Sequence, residues 1–161
     1  FIEVLGLSPE GYGWVFGLNA LGFIAASQIN ARIGRRYGPD KTLHVSIPAL
    51  ALFALLLILG GVFGFGGSYG VYLPIFAYVA CLGFIMPNTA ALAMAPFGRN
   101  AGSASALLGT LQFALAAAAS AFAGSFNHQD ATPLALIVAL LAFAGAVTHL
   151  LLCRNLPQLT D

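Results

Sequence analysis

Asn19, Tyr78 and Gln112 are neutral hydrogen-bonding side chains set deep inside long apolar stretches. Away from water such groups need partners, either on a neighbouring helix or on a bound molecule, because hydrocarbon supplies none. Ser27, Gln28, Asn88, Thr89, Thr110 and Ser120 repeat the theme in the same stretches. Their chemistry is recognition. The same stretches hold no Asp, Glu, Lys or Arg, so no proton carrier lies within them, and Glu3 near the start is the nearest carboxylate. No Ser/His/Asp or Cys/His set, glycine-rich phosphate loop or metal-ligand cluster is legible, and His44, His128 and His149 fall at the ends of apolar runs or between them. The pattern therefore implies no enzyme and no cofactor. Cys81 and Cys153 sit in apolar runs without a partner at ligand spacing and read as small core residues.

The elements that position these groups follow from composition. Of 161 residues, 60% are hydrophobic and 7% charged, and the mean hydropathy is +0.91. A water-soluble domain carries about 25% charge, so the solvent for this chain is a lipid bilayer. With six Lys+Arg against five Asp+Glu, no basic patch is large enough to follow a phosphate backbone, and nucleic acid is excluded as a partner. Five stretches reach the roughly 20 apolar residues that a spanning helix needs: about 12–31, 43–64, 71–96, 101–126 and 133–153. Ser8-Pro9-Glu10 offers a cap, a first-turn proline and an acid for the start of the first, and Asp130 to Pro133 does the same for the last. Pro87 lies well inside the third and predicts a kink beside Asn88. Residues 1–6 read as the stub of a preceding helix, and 154–161 as a polar tail. The absence of an initiator Met or signal pattern suggests an internal start in a longer polypeptide.

Every basic residue falls in one of three places: Arg32, Arg35, Arg36 and Lys41 between the first two spans, Arg99 between the third and fourth, and Arg154 after the fifth. Alternating spans put all three on one face, so the fragment starts outside and ends in the cytoplasm. The first loop has two readings. Its cations snorkel to the interface, or their guanidinium forks hold carboxylates and helix-end carbonyls as a latch. Polar side chains sort the spans: the second and fifth carry them only near their ends and read as peripheral, while the first, third and fourth should line something. Asn19, Tyr78 and Gln112 fall within the middle half of a roughly 30 Å core. A substrate contact and a helix-to-helix hydrogen bond both fit them. Gln28 and Asn88 lie nearer the cytoplasm, where a gate or a helix contact fits as well as a ligand. Small residues four apart in the fourth span, such as Gly102 with Ala106 and Ser105 with Gly109, predict close helix packing there.

With the spans in place, four stretches resemble the C-terminal half of a major facilitator superfamily transporter, closest to the Bcr/CflA multidrug efflux subfamily. They are Gly6 to Glu10 with Trp14 to Ala20; Gln28 to Arg32 with Arg35 to Gly38; Gly83 to Asn88 with Ala95 to Phe97; and Ala101 to Gly109 with Leu111 to Phe113. The resemblance implies an all-α membrane protein of five transmembrane helices plus a helix stub, the C-terminal six-helix half of that fold. It implies alternating access around a midplane site, proton-driven export of small hydrophobic drugs such as chloramphenicol or bicyclomycin, and a bacterial inner-membrane location. The partners would be the missing N-terminal half of the same polypeptide, which would hold the coupling carboxylate, together with protons, the drug and the bilayer. Asn19, Tyr78, Gln112 and Phe113 become cavity candidates, and Asn30, Arg32, Arg35 and Arg36 resemble a cytoplasmic gating loop. An exporter of an amino acid, small peptide or other metabolite with the same fold, or a membrane scaffold without transport, would share most of these features.

Overall fold

The computed structural model describes residues 8–124 and 132–155, all helical apart from short turns. The stub 1–6 and the tail beyond residue 155 lie outside the described residues. Helix α1 is Pro9–Tyr37, α2 is Pro39–Phe63, α3 is Tyr69–Met94, α4 is Ala101–Gly124 and α5 is Thr132–Asn155, with a 3₁₀ turn at Ala95–Asn100 before α4. The start of α1 is built as its sequence suggests. Ser8 Oγ accepts the Gly11 N–H at 3.1 Å, and Glu10 sits in the first turn.

The end of α1 corrects the expected loop. Arg32, Arg35 and Arg36 lie on its last turns, and the connection to α2 shrinks to Gly38, with φ +81°. Glycine tolerates that φ and Pro39 starts a helix without needing its missing N–H, so one residue suffices where a ten-residue run with five charges suggested a loop. Inside the apolar helices, Pro48 in α2 and Pro74 and Pro87 in α3 are all accommodated with the helix continuing beyond them. The 3₁₀ turn breaks at Gly98, with φ 33° and ψ −102°.

Packing centres on α2. Leu50 and Ala54 meet Ala139 and Ala142 of α5 in a buried cluster, and Tyr78, Cys81, Leu82 and Ile85 of α3 close over it. Nearer the other end, Leu57 packs with Val71, flanked by Ile75 and Val138. The helix expected to be peripheral is thus the wedge between α3 and α5. Side-chain polarity identifies helices that need hydrogen-bond partners, but apolar helices also interlock, as the 3–4 spacing of Leu43, Ile47, Leu50, Ala54 and Leu57 does here. Helix α1 lies along the other side of α3. The two run parallel, since Gly22, Phe23 and Asn30 meet Phe76, Gly83 and Asn88 in the same order.

Large apolar side chains remain exposed on the described helices, Trp14 at 77% and Phe113 at 79% among them. Apolar surface on that scale fits lipid or further protein and not water. Two stretches, Pro39–Gly61 and Tyr69–Phe122, are long and apolar enough to cross a membrane, and Leu136–Leu151 is a shorter apolar helix.

The glycines separate tight contacts from open ones. A Cβ on Gly83 would stand 2.6 Å from Phe23 O and 2.9 Å from Ala26 Cβ, whereas one on Gly102 would meet nothing within 4 Å. Gly83→Val should lower the thermal midpoint of the detergent-purified protein by an overpacking cost of about 1–3 kcal/mol. Gly102→Ala should leave the midpoint in place.

Candidate functional site

The functional side chains on α1 are ordered by a four-residue repeat. Gly22, Ala26, Asn30 and Gly34 share one stripe of the helix, and α3 lies against it. A Cβ on Gly22 would come within 2.6 Å of the Phe76 ring. Ala26 abuts Gly83, and a Cβ on Gly34 would lie 3.6 Å from Asn88 Oδ1. Small residues let the backbones approach until a polar pair can bridge them.

That pair is Asn30 and Asn88, each 5% exposed. Asn88 Nδ2 donates to Asn30 Oδ1 at 2.7 Å and to the Phe84 carbonyl, one turn back on its own helix, also at 2.7 Å. Both donors of the amide are therefore used. The pair adjoins Pro87, which has no N–H to offer the Gly83 carbonyl. A residue expected at a gate and one expected at a kink are brought into direct contact, tying α1 to α3 beside the proline.

The proposed cavity residues lie in three different environments. Asn19 is half-buried, its Nδ2 donating to the Val15 carbonyl at 3.0 Å, while its Oδ1 is buried without a partner among the described residues. Tyr78 is half-buried against the cluster shared by α2 and α5. It lies two residues, about 200° of helix rotation, from Phe76 on the α1-facing side. Gln112 and Phe113 are exposed on α4, which packs only lightly on its neighbours. Counting residues gives the three polar residues a common depth, but Tyr78 faces the cluster of α2 and α5 while Gln112 lies exposed on α4.

At the basic end, Arg35 Nε donates to the Ala31 carbonyl, one turn back on its own helix, at 3.0 Å. The Arg36 guanidinium carbon lies 5.4 Å from the Tyr37 ring centroid, within cation–π range. Arg32 is exposed. The Arg35 contact stays within one helix, its acceptor six residues before the helix end, and joins no second element. His44 and His149, expected singly at span ends, meet edge to face at 5.0 Å and join α2 to α5. Small residues at spacing four are most frequent in α4, yet there Gly102 and Gly109 face open space. The same signal is present in α1, with a polar residue at its third position.

Comparison with known proteins gives the arrangement its context. The chain is 31% identical over 145 residues to an uncharacterized MFS-type transporter, YdgK, of Bacillus subtilis (strain 168), covering 90% of this chain and 36% of that protein. The chain is a homologue of major facilitator transporters. It is also 24% identical over 164 residues to a bicyclomycin resistance protein homolog of Haemophilus influenzae, covering 98% of this chain and 40% of the relative. The chain thus spans between a third and two fifths of the length of these curated relatives. No family model matches it, and no solved structure does. As a transporter homologue, it belongs in a membrane, which accounts for its exposed apolar helix faces.

The Asn30–Asn88 bond should be measurable as a coupling. In a double-mutant cycle with Asn30→Ala and Asn88→Ala, unfolding of the detergent-purified protein should give an interaction energy near the 0.6–1.7 kcal/mol found for hydrogen bonds between membrane helices. Additive effects would mean that the two amides act separately.

Proposed function

We propose that the chain forms the C-terminal half of a proton-coupled drug efflux antiporter of the bicyclomycin and chloramphenicol type. It works by alternating access in the bacterial inner membrane. Its five helices α1–α5 each cross once, with the first residues outside and the C-terminus in the cytoplasm. The observation that carries this reading is the similarity over nearly the whole chain to a bicyclomycin resistance protein homolog. The orientation is supported by the three clusters of Lys and Arg, which alternate spans bring to one face.

The chain's own residues take distinct parts in such a cycle. Helices α1 and α3 move as one body, because their backbones touch at Gly83 and their amides are joined at Asn30 and Asn88. Asn19 Oδ1 offers a buried acceptor with no donor assigned to it, suited to a hydroxyl or amide N–H of a substrate. Gln112 and Phe113 on the open face of α4 supply a hydrogen-bonding group beside an aromatic ring, a pairing that suits a small amphipathic drug. Arg32, Arg35 and Arg36 stand at the inner end, where the path closes when the pump faces outward. Proton exchange falls to carboxylates elsewhere in the polypeptide, since α1–α5 carry no acid between their end turns.

The more similar relative has no substrate in its name, so export of an amino acid, small peptide or other metabolite through the same fold is the second reading. Inside-out vesicles carrying the full-length protein should release protons when chloramphenicol or bicyclomycin is added. Silence towards every amphenicol and bicyclomycin, with a response to metabolites, selects the second reading. Asn19→Ala and Gln112→Ala should each reduce drug-driven release about five-fold, the worth of one hydrogen bond near 1 kcal/mol. Pro87→Ala should slow transport more than it lowers expression. Undiminished transport in the Asn19 and Gln112 variants would assign these residues a packing role.

A further inference from the structure

A concavity lies at the basic end, with none of its lining on α4 or at Asn19. It is a groove of about 450 Å³ where the end of α1, the start of α2 and the middle of α3 meet. Val45, Ala49, Cys81 and Phe84 line its interior, and Tyr37 and Lys41 stand at the α1–α2 corner. Two hydroxyls also reach the wall, but each is already spent. Thr42 Oγ1 donates to the Gly38 carbonyl at 2.9 Å, and Ser46 Oγ donates to the Thr42 carbonyl at 2.8 Å. With those donors turned into their own helix, the wall offers a ligand mainly hydrocarbon and one aromatic ring.

The polar functions at the corner are of one kind. The Lys41 ammonium is exposed, Tyr37 presents a phenol, and Arg36 stacks over the Tyr37 ring at 5.4 Å. Asp40, the neighbouring carboxylate, is exposed and lies outside the groove lining. An occupant matched to these walls has an unbranched apolar tail and a single anionic head. A polar solute would find both hydroxyl donors of the wall already engaged, and a neutral hydrocarbon would leave the cations unused.

We infer that this groove holds one acyl chain of an anionic phospholipid, with its phosphate on the Lys41 ammonium and within reach of the Tyr37 hydroxyl. The position is consistent with the chemistry. Lysine and arginine gather at the headgroup level of a bilayer, where basic sites between helices attract acidic lipids. Val45, 72% exposed, leaves the side of the groove open for a chain to enter laterally. A lipid seated there would touch α1, α2 and α3 together, bracing the Gly38 corner that joins the first two. The groove lining contains none of Asn19, Gln112 and Phe113, and its test does not depend on which solute is carried.

The full-length protein, purified in detergent, is offered equimolar phosphatidylglycerol and phosphatidylcholine, and the retained lipids are counted by native mass spectrometry. Phosphatidylglycerol should be retained in preference by about five-fold, the worth of one lysine at an anionic surface. Lys41→Gln should remove that preference, while Arg99→Gln, on the 3₁₀ turn and outside the groove, should keep it. Inorganic phosphate alone should displace nothing. Equal retention of the two lipids, or equal effects of the Lys41 and Arg99 changes, would overturn the inference. A second measurement keeps the groove sequence intact. With every other cysteine of the full-length protein replaced by serine, maleimide labelling of Cys81, a free and half-buried thiol in the wall, should be slowed by phosphatidylglycerol more than by phosphatidylcholine. Labelling indifferent to both lipids would also reject the site.

Discussion

The closest constraint in the described fold is the contact between α1 and α3. Helices already in lipid gain little from the hydrophobic effect when they associate, because acyl chains are as apolar as the side chains they replace. What remains is dispersion between closely fitted surfaces and the hydrogen bonds made across them. Gly83 lets the α1 backbone approach to a distance that any side chain would forbid. Only at that separation do Asn30 and Asn88 reach one another at 2.7 Å. The contact is steric at its centre and polar at its basic end, and neither part replaces the other.

The second packing layer works differently. Helix α2 joins α3 and α5 through aliphatic residues, with Leu50 and Ala54 against Ala139 and Ala142. Its buried hydroxyls, Thr42 and Ser46, return their protons to their own helix, so α2 has little demand for polar partners elsewhere. At the turn into α3 a Cβ on Gly60 would collide with the Gly70 carbonyl, and one on Gly70 with the Phe65 carbonyl. These contacts make α1, α2, α3 and α5 a layered unit. Helix α4 is the outlier, with Leu107, Leu111, Phe113, Leu115 and Phe122 exposed along its length. Its apolar face is the surface most available to further protein or to lipid.

In the proposed alternating-access cycle this division has a mechanical sense. A pump that alternates access needs parts that stay together and parts that separate. Backbone contact and a buried amide pair suit the first role, since breaking them leaves polar groups without partners. A loosely held helix with a glutamine and a phenylalanine on its surface suits the second. Pro87 lies beside the amide pair rather than at a free bend, so any flexing there acts on a point already tied to α1.

The sequence by itself determined the helical class, the membrane as solvent and the approximate position of each helix. Long apolar runs, end caps and turn-forming residues act locally, within a few residues of where they stand. Ser8 and Pro9 begin α1 as their chemistry requires, and the Gly98 region interrupts the path from α3 to α4. The extension of α1 through Arg36 was not legible, because charge suggested a loop where a single glycine at φ +81° suffices. Tertiary structure alone decided the partners. Asn30 and Asn88 are 58 residues apart in sequence, and no local rule pairs them. Counting residues assigns Tyr78 the depth of Asn19, yet Tyr78 turns towards α2 and α5 because its position on α3 lies opposite Phe76. Depth follows from counting residues along a helix, whereas facing depends on which neighbour each stripe meets, and that is settled only when the helices pack.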